Sequence, residues 1–346
     1  MSFPVTLNEP ISALQRSAEE LEYSEILDRA SVEQDPKERL LLMCAYAVSA
    51  CSNNKLRSSR KPFTPLLGET FECVRPDRGL RFVAEKVSHV PFVMAFHAES
   101  LTGDGPGSRW RVRGQTEPSQ KFWGRSIEIL TQGRVEVDLT AFNEVYTIRK
   151  PSSFVRNLVA GTKYLELVGT LHVDCVSTGA SATIKFKEGS SWGGVSSRNK
   201  IEGKATYGSD SFELVGRWDD RVEVQEGPSS YRRLWECNEF PHDAVDHYGF
   251  SSFAIQLNEI SDTERGWIAP TDSRYRPDIR ALEEGDVDTA ESEKKRLEEK
   301  QRKHRLEWAE DPPVPRFFNK HGAEWVFAET YFDERHRRSF YDPDLF

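Results

Sequence analysis

Arg109-Trp110-Arg111-Val112-Arg113 alternates polar and apolar residues with period two. In an extended chain successive side chains leave opposite faces, so Trp110 and Val112 share one face and the three arginines the other. This pattern marks a strand with one side in a core and the other in water. Segments of the same texture recur between 69 and 259, for example at 69–75, 80–86, 93–99, 135–139, 145–149, 165–173, 182–186 and 212–218, separated by Gly, Pro, Asp and Ser. Many short strands at regular spacing predict a sandwich or barrel built largely of antiparallel meanders. A single β unit of this length is large for a filled barrel, and a large barrel generally encloses a cavity.

The flanks of this region read differently. Ahead of it, the apolar leader Phe3-Pro4-Val5-Thr6-Leu7 runs into a predicted helix over 8–27. Asn8 is its expected cap, and Pro10 falls in the first turn, where a missing N–H costs little. Ile11, Leu14, Ala18 and Leu21 form one apolar stripe, with Gln15, Arg16, Glu19 and Glu20 on the other face. Such a leader either packs on the core or serves as a flap over something apolar. A second helix, over 36–51, is apolar nearly all round and is expected to be buried. Behind the β region, 280–307 is dense in Glu, Lys and Arg and helical in propensity, with Gly285 dividing it. Residues 317–346 are rich in aromatics and are expected to pack. No internal repeat, low-complexity linker or domain boundary is evident.

Composition narrows the function classes. The 346 residues carry 47 Lys+Arg against 56 Asp+Glu, a net charge of −9, which disfavours nucleic acid as a partner. Cys44, Cys51, Cys73, Cys175 and Cys237 are scattered and odd in number, giving neither a disulfide framework nor a zinc site. No signal peptide is evident, and the longest near-apolar run, 40–51, is too short to span a bilayer. A soluble, cytoplasmic, monomeric protein with only peripheral membrane contact is therefore expected. The sequence has no G-x-S-x-G elbow, Walker loop or H-E-x-x-H, and its histidines show no metal spacing, so neither an enzyme nor a metal or cofactor is expected.

Three segments carry candidate chemistry. In Lys61-Pro62-Phe63-Thr64-Pro65-Leu66-Leu67-Gly68-Glu69, two prolines hold Phe63-Thr64 extended, Gly68 permits a close approach, and Lys61 and Glu69 bracket the turn. In Glu85-Lys86-Val87-Ser88-His89-Val90-Pro91-Phe92, a strand is interrupted at His89 and Pro91, either at the mouth of a cavity or at an ordinary surface bulge. On the tail helix, Lys294, Glu298 and Arg302 follow one another at intervals of four, and 291–305 holds seven basic and four acidic residues, a local +3. That stripe is either an anion site or a solvated face laced by salt bridges.

Together these segments resemble the lipid-binding domain of the oxysterol-binding-protein-related family. The resemblance extends through Lys121-Phe122-Trp123-Gly124, Gly216-Arg217-Trp218-Asp219, Leu257-Asn258, Pro270-Thr271-Asp272-Ser273-Arg274 and Arg276-Pro277-Asp278, in the family's order and over nearly the whole chain. It implies a mainly β fold with α: an incomplete antiparallel β-barrel around a hydrophobic tunnel, with a lid from the N-terminus and an α-rich C-terminal subdomain. On that pattern 1–346 is one lipid-binding domain, with a lid at 1–30, a helical segment at 31–60, the barrel at 61–262 and the C-terminal subdomain at 263–346. Phe3, Val5, Leu7, Ile11 and Leu14 would cover the tunnel. The family's pleckstrin-homology domain and ankyrin repeats are absent from these residues.

The resemblance further implies exchange of a sterol or phospholipid for phosphatidylinositol 4-phosphate between membranes, as at membrane contact sites. The headgroup residues it implies are Lys61, Thr64, Glu69, His89, Lys294, Glu298 and Arg302. Four positions depart from the family pattern: Thr64 stands for Asn, Lys86 for Gln, Val90 for a second His and Phe92 for a second Pro. A hydrogen bond to a charged group contributes roughly 1.5–3 kcal/mol, so Val90 predicts headgroup binding that is weakened but not abolished. The alternative expectation is a lipid sensor or scaffold of the same fold that does not exchange its ligand.

Overall fold

In the computed structural model, described for residues 4–57, 60–101, 107–159, 163–189, 197–307 and 313–346, the period-two segments pair into one sheet of fourteen strands. Trp110 and Val112 are fully buried while Arg111 and Arg113 face solvent, as the alternation requires. The same rule continues across the ladder. Trp110 lies opposite Leu139 and Val112 opposite Val137, whereas on the outer face Arg113 lies opposite Glu136 and donates to it at 2.7 Å.

All neighbours in this sheet are antiparallel, and it runs from Thr70–Arg75 at one edge to Ser230–Glu236 at the other. It branches in the middle. Trp110–Phe122 and Tyr164–Cys175 are long enough for each to pair with different partners along its two halves. One half reaches the other through Val135–Leu139 and Glu144–Arg149, the second through Ile127–Gln132 and Ser152–Arg156.

The two edge strands do not pair, so the ring is only partly closed. The N-terminal residues bridge the gap. Helix Ala13–Ala18 packs on Thr70–Arg75 and Leu80–Ser88, and Tyr23 meets Trp235 of the last strand edge to face at 5.2 Å. Helix Pro36–Ser49 starts with Asp35 as its cap and Pro36 in its first turn, and every residue from Arg39 to Ser49 is buried. It packs against five strands between Tyr164–Cys175 and Ser230–Glu236. Its one interior charge, Arg39, is held by Glu144 in a bidentate pair at 2.9 and 2.5 Å.

The leader corrects the expected helix over 8–27. Residues Asn8–Ser12 are extended and pair in parallel with Lys61–Phe63, while the Asn8 side chain donates to the Lys61 and Pro62 carbonyls. Ser12, not Asn8, caps the first helix: its hydroxyl accepts from the Leu14 and Gln15 amides, and Gln15 returns the bond to the Ser12 N–H. A free strand edge and a reciprocal cap together outcompete one extra helical turn. The expected polar face is also largely interior. Gln15 donates to Leu257 and Asn258, and Glu19 pairs with buried Arg57 at 2.8 Å.

After the sheet, helices Pro277–Glu283 and Val287–Glu307 are divided at Gly285. The aromatic tail forms the hairpin Phe318–His321/Glu324–Phe327 and helix Tyr331–Arg337. Phe317, Phe318 and Tyr331 pack on Val83, Val87, Val93 and Ala95, the outer side of two barrel strands. No helix among the described residues is long and apolar enough to cross a membrane.

Candidate functional site

One end of the barrel gathers all three segments singled out in the sequence. The turn after Lys61–Phe63 lies against the strand Leu80–Ser88: the Gly68 N–H donates to the Lys86 carbonyl at 3.0 Å, and the Lys86 N–H to the Glu69 carbonyl at 2.9 Å. Gly68 has φ +80° with open space where a Cβ would stand. The glycine therefore answers a left-handed turn rather than the close approach expected for it.

Glu69 is fully buried behind this turn. It accepts from the Leu66 N–H at 2.8 Å, the Ser273 hydroxyl at 2.6 Å and Arg276 at 2.9 Å. Arg276 also grips Asp278 at 3.0 and 2.7 Å and reaches the Thr64 carbonyl at 3.0 Å. These contacts fix the turn's shape and leave the exposed Thr64 side chain on its outer side. The Thr-Asp-Ser-Arg and Arg-Pro-Asp motifs thus anchor the site from behind.

Lys294 is nearly buried on the tail helix, and its ammonium contacts Glu298 at 2.9 Å. Lys61 stands within electrostatic reach of both. Burial first, then Lys294, pushes its amine pKa down, and Glu298 opposes the shift. Two cations from distant parts of the chain therefore share one nearby carboxylate.

His89 is half-buried in the turn between Leu80–Ser88 and Val93–Ser100, and its Nδ1 has no hydrogen-bond partner among the described residues. Burial, then Lys86, then Arg305 hold its pKa below the usual value, which keeps the ring neutral near pH 7. Lys86 itself is buried, donates to the Pro65 carbonyl at 2.8 Å and lies 4.1 Å from the Phe92 ring centre. Burial pushes its pKa down to about 8.

Three of these residues escaped the sequence reading. Lys86 registered only as a departure from Gln. Gln301, whose amide nitrogen is buried without a partner among the described residues, and Arg305 were not picked out at all. Steps of four drift about 40° each round a helix, whereas 294, 298, 301 and 305 alternate steps of four and three and stay on one face. Arg302 has drifted to the exposed flank, 3.8 Å from Glu299.

Of the expected lid residues, Val5 is buried among Phe63, Ile279, Leu282 and Ala290, beside the rim. Its N–H donates to Glu291 on the tail helix at 2.7 Å. Ile11 packs with Phe250 and Ala254, and Leu14 belongs to the main core. Leu7 is half-exposed, and Phe3 lies outside the described residues. A separate cleft of about 350 Å³, lined by Val74, Arg81, Leu101, Phe332 and Arg335 among others, sits at the opposite ends of the same strands. Among the described residues no cluster of His, Cys, Asp and Glu is arranged to hold a metal.

A partly closed antiparallel ring, bridged by its own N-terminus and carrying buried lysines at one end, defines a binding-protein architecture. The chain belongs to the oxysterol-binding protein family: the family model described as Oxysterol-binding protein matches residues 1–336. It is 38% identical over 341 residues to oxysterol-binding protein-related protein 3 of Mus musculus, covering 97% of this chain and 39% of that protein. It is 36% identical over 350 residues to oxysterol-binding protein homolog 3 of Saccharomyces cerevisiae, covering 99% of this chain and 34% of the relative. The chain thus spans about two fifths or less of these two relatives. Among solved structures it is similar to the Osh3 ORD of Saccharomyces cerevisiae in complex with PI(4)P, with a TM-score of 0.89, 35% identity and coverage of 99% and 90% of the two chains. It is equally similar in fold to the Osh1 ORD domain in complex with ergosterol, at a TM-score of 0.89, 31% identity and coverage of 100% and 87%. Membership in this family places the chain among binding proteins rather than enzymes.

Proposed function

We propose that this chain binds one membrane lipid within the barrel, presents a phosphorylated inositol to the rim, and moves lipid between membranes as a cytoplasmic protein that touches them peripherally. The observation that carries this reading is that Lys61 meets Lys294 and Glu298 on the helix whose Arg305 reaches His89, while His89 and Gln301 each bring a buried nitrogen without a partner among the described residues. A buried unpaired polar group is costly, and a multivalent anion would accept at once from the Gln301 amide and from a neutral His89 in its Nδ1–H tautomer. Glu298 offsets part of the rim's positive charge when no anion is bound. The similar solved structures, one in complex with PI(4)P and one with ergosterol, support both a headgroup and an apolar ligand for this fold.

The physical logic of carriage is desolvation. Acyl or sterol carbon in water costs about 0.8 kcal/mol per CH₂, and an apolar interior removes most of that cost. In this reading the leader acts as the lid. Val5 docks on Ile279, Leu282 and Ala290 in solution, and the leader must detach for lipid to pass. The headgroup set expected from the sequence is then refined: Lys61, Thr64, His89, Lys294 and Glu298 remain, Glu69 acts from behind through Arg276, and Lys86, Gln301 and Arg305 join.

Mass spectrometry of lipid co-purified with the chain, followed by transfer between donor and acceptor liposomes, tests the proposal. A chain that binds phosphatidylinositol 4-phosphate but moves neither it nor a second lipid would be a sensor or scaffold. Absence of any bound lipid would overturn both readings.

A further inference from the structure

The hairpin between Trp110–Phe122 and Ile127–Gln132 rises past the rim. Ser88 pairs with Val93 and Met94 with Thr116, so residue 117 is level with the start of the turn that holds His89. The strand then continues five residues to Phe122, roughly 17 Å at the usual rise per residue. The hairpin tip therefore projects from the same end of the barrel as the cationic rim.

Its composition does not suit an ordinary exposed turn. Phe122 is 70% exposed and Trp123 55% exposed. Beside them, Val159 is 76% exposed on a loop tied to the tip by the Leu158 N–H, which donates to the Arg125 carbonyl at 3.1 Å. Two solvent-exposed loops thus share one apolar crest.

The crest is held in place rather than frayed. Gly124 has φ +76°, the Trp123 N–H donates to the Ser126 carbonyl at 2.8 Å, and the Trp123 indole donates to Glu128 at 2.9 Å. Lys121 places its ammonium 4.6 Å from the Trp123 ring centre, and Arg125 is exposed at the turn. A preformed aromatic and aliphatic crest flanked by cations matches the chemistry of a bilayer interface, where indole rings sit at headgroup depth and Lys and Arg meet anionic lipid.

We propose that the Phe122-Trp123 tip, with Val159, Lys121 and Arg125, is an anchor that inserts into the interface of an anionic bilayer and holds the rim toward it. The inference rests on the lipid-carrier reading only for which lipid then passes through the rim. The anchor itself needs no headgroup in the site.

The test uses the whole chain and vesicles of phosphatidylcholine with phosphatidylserine, free of phosphoinositide and sterol. The double substitution Phe122→Ala and Trp123→Ala is expected to weaken co-sedimentation at least about tenfold, the loss of two part-buried aromatics, without changing thermal stability. Lys61→Ala with Lys294→Ala is expected to leave this binding intact while impairing capture of short-chain phosphatidylinositol 4-phosphate. Wild-type co-sedimentation by the Phe122/Trp123 variant would overturn the proposal. So would unchanged vesicle binding accompanied by loss of self-association, which would make the crest a contact between copies. Equal binding to vesicles of phosphatidylcholine alone would overturn the anionic requirement. If vesicle binding depends on the tip but no lipid is ever carried, the carrier reading fails and the anchor stands.

Discussion

Arg276 donates to the Glu69 carboxylate at 2.9 Å, although 207 residues separate them in the chain. The same guanidinium holds Asp278 with two bonds, and all three side chains are buried. Arg276→Ala would leave two carboxylates buried without their cation, and a stability loss of about 3–5 kcal/mol in denaturant unfolding is expected. Arg276→Lys should recover little of it, since one ammonium cannot reproduce the planar fork.

At the rim, Lys294→Ala is expected to lower phosphatidylinositol 4-phosphate affinity by about tenfold to a hundredfold, the range of one charge-assisted hydrogen bond. Val90→His supplies the donor that the family pattern has there and is expected to raise affinity by about tenfold. Isothermal titration with a short-chain ligand measures both. If neither substitution changes affinity, the rim is not the headgroup site.

Burial raises the pKa of Glu85 from its ordinary 4.5 to about 7, against the pull of the Arg316 and Phe317 N–H donors at 2.8 and 2.9 Å. A carboxyl with a raised folded pKa keeps its proton in the native state after the unfolded chain has lost it. Its contribution to stability is therefore fully present below pH 4.5 and is lost as pH climbs to about 7. Glu85→Gln removes this titration, so unfolding free energy measured across that window should fall less steeply with pH in the variant than in the parent chain.

Val5→Asp places a charge in the apolar pocket formed by Phe63, Ile279, Leu282 and Ala290. A buried valine contributes roughly 1.5–3 kcal/mol, so the leader's docked state should lose about tenfold to a hundredfold in population. Faster ligand exchange and earlier proteolytic cleavage ahead of Asn8 are the expected signs. Unchanged exchange would show that the leader does not gate entry.

Much of the barrel was legible because strand alternation is local. Period two at Arg109–Arg113 and in its neighbours placed nine strands to within a few residues, apart from Trp110–Phe122, which runs nine residues past its expected end. The buried all-apolar helix and the break at Gly285 were legible for the same reason. The leader was not. Ile11, Leu14, Ala18 and Leu21 are all buried as their spacing implies, yet Asn8–Ser12 is a strand, because the open edge of Lys61–Phe63 lies beside it.

The sequence by itself determined the kind of wall this protein builds and which three segments are chemically unusual, since alternation, proline interruptions and charge runs are properties of neighbouring residues. Only the tertiary structure decided what those segments do together. It turned Glu69 inward to Arg276, sent Arg302 to the flank, brought Arg305 to bear on His89, and set Lys61 beside Lys294. Those choices depend on contacts across more than two hundred residues and on which face of a helix meets the rim, and neither is encoded in local spacing.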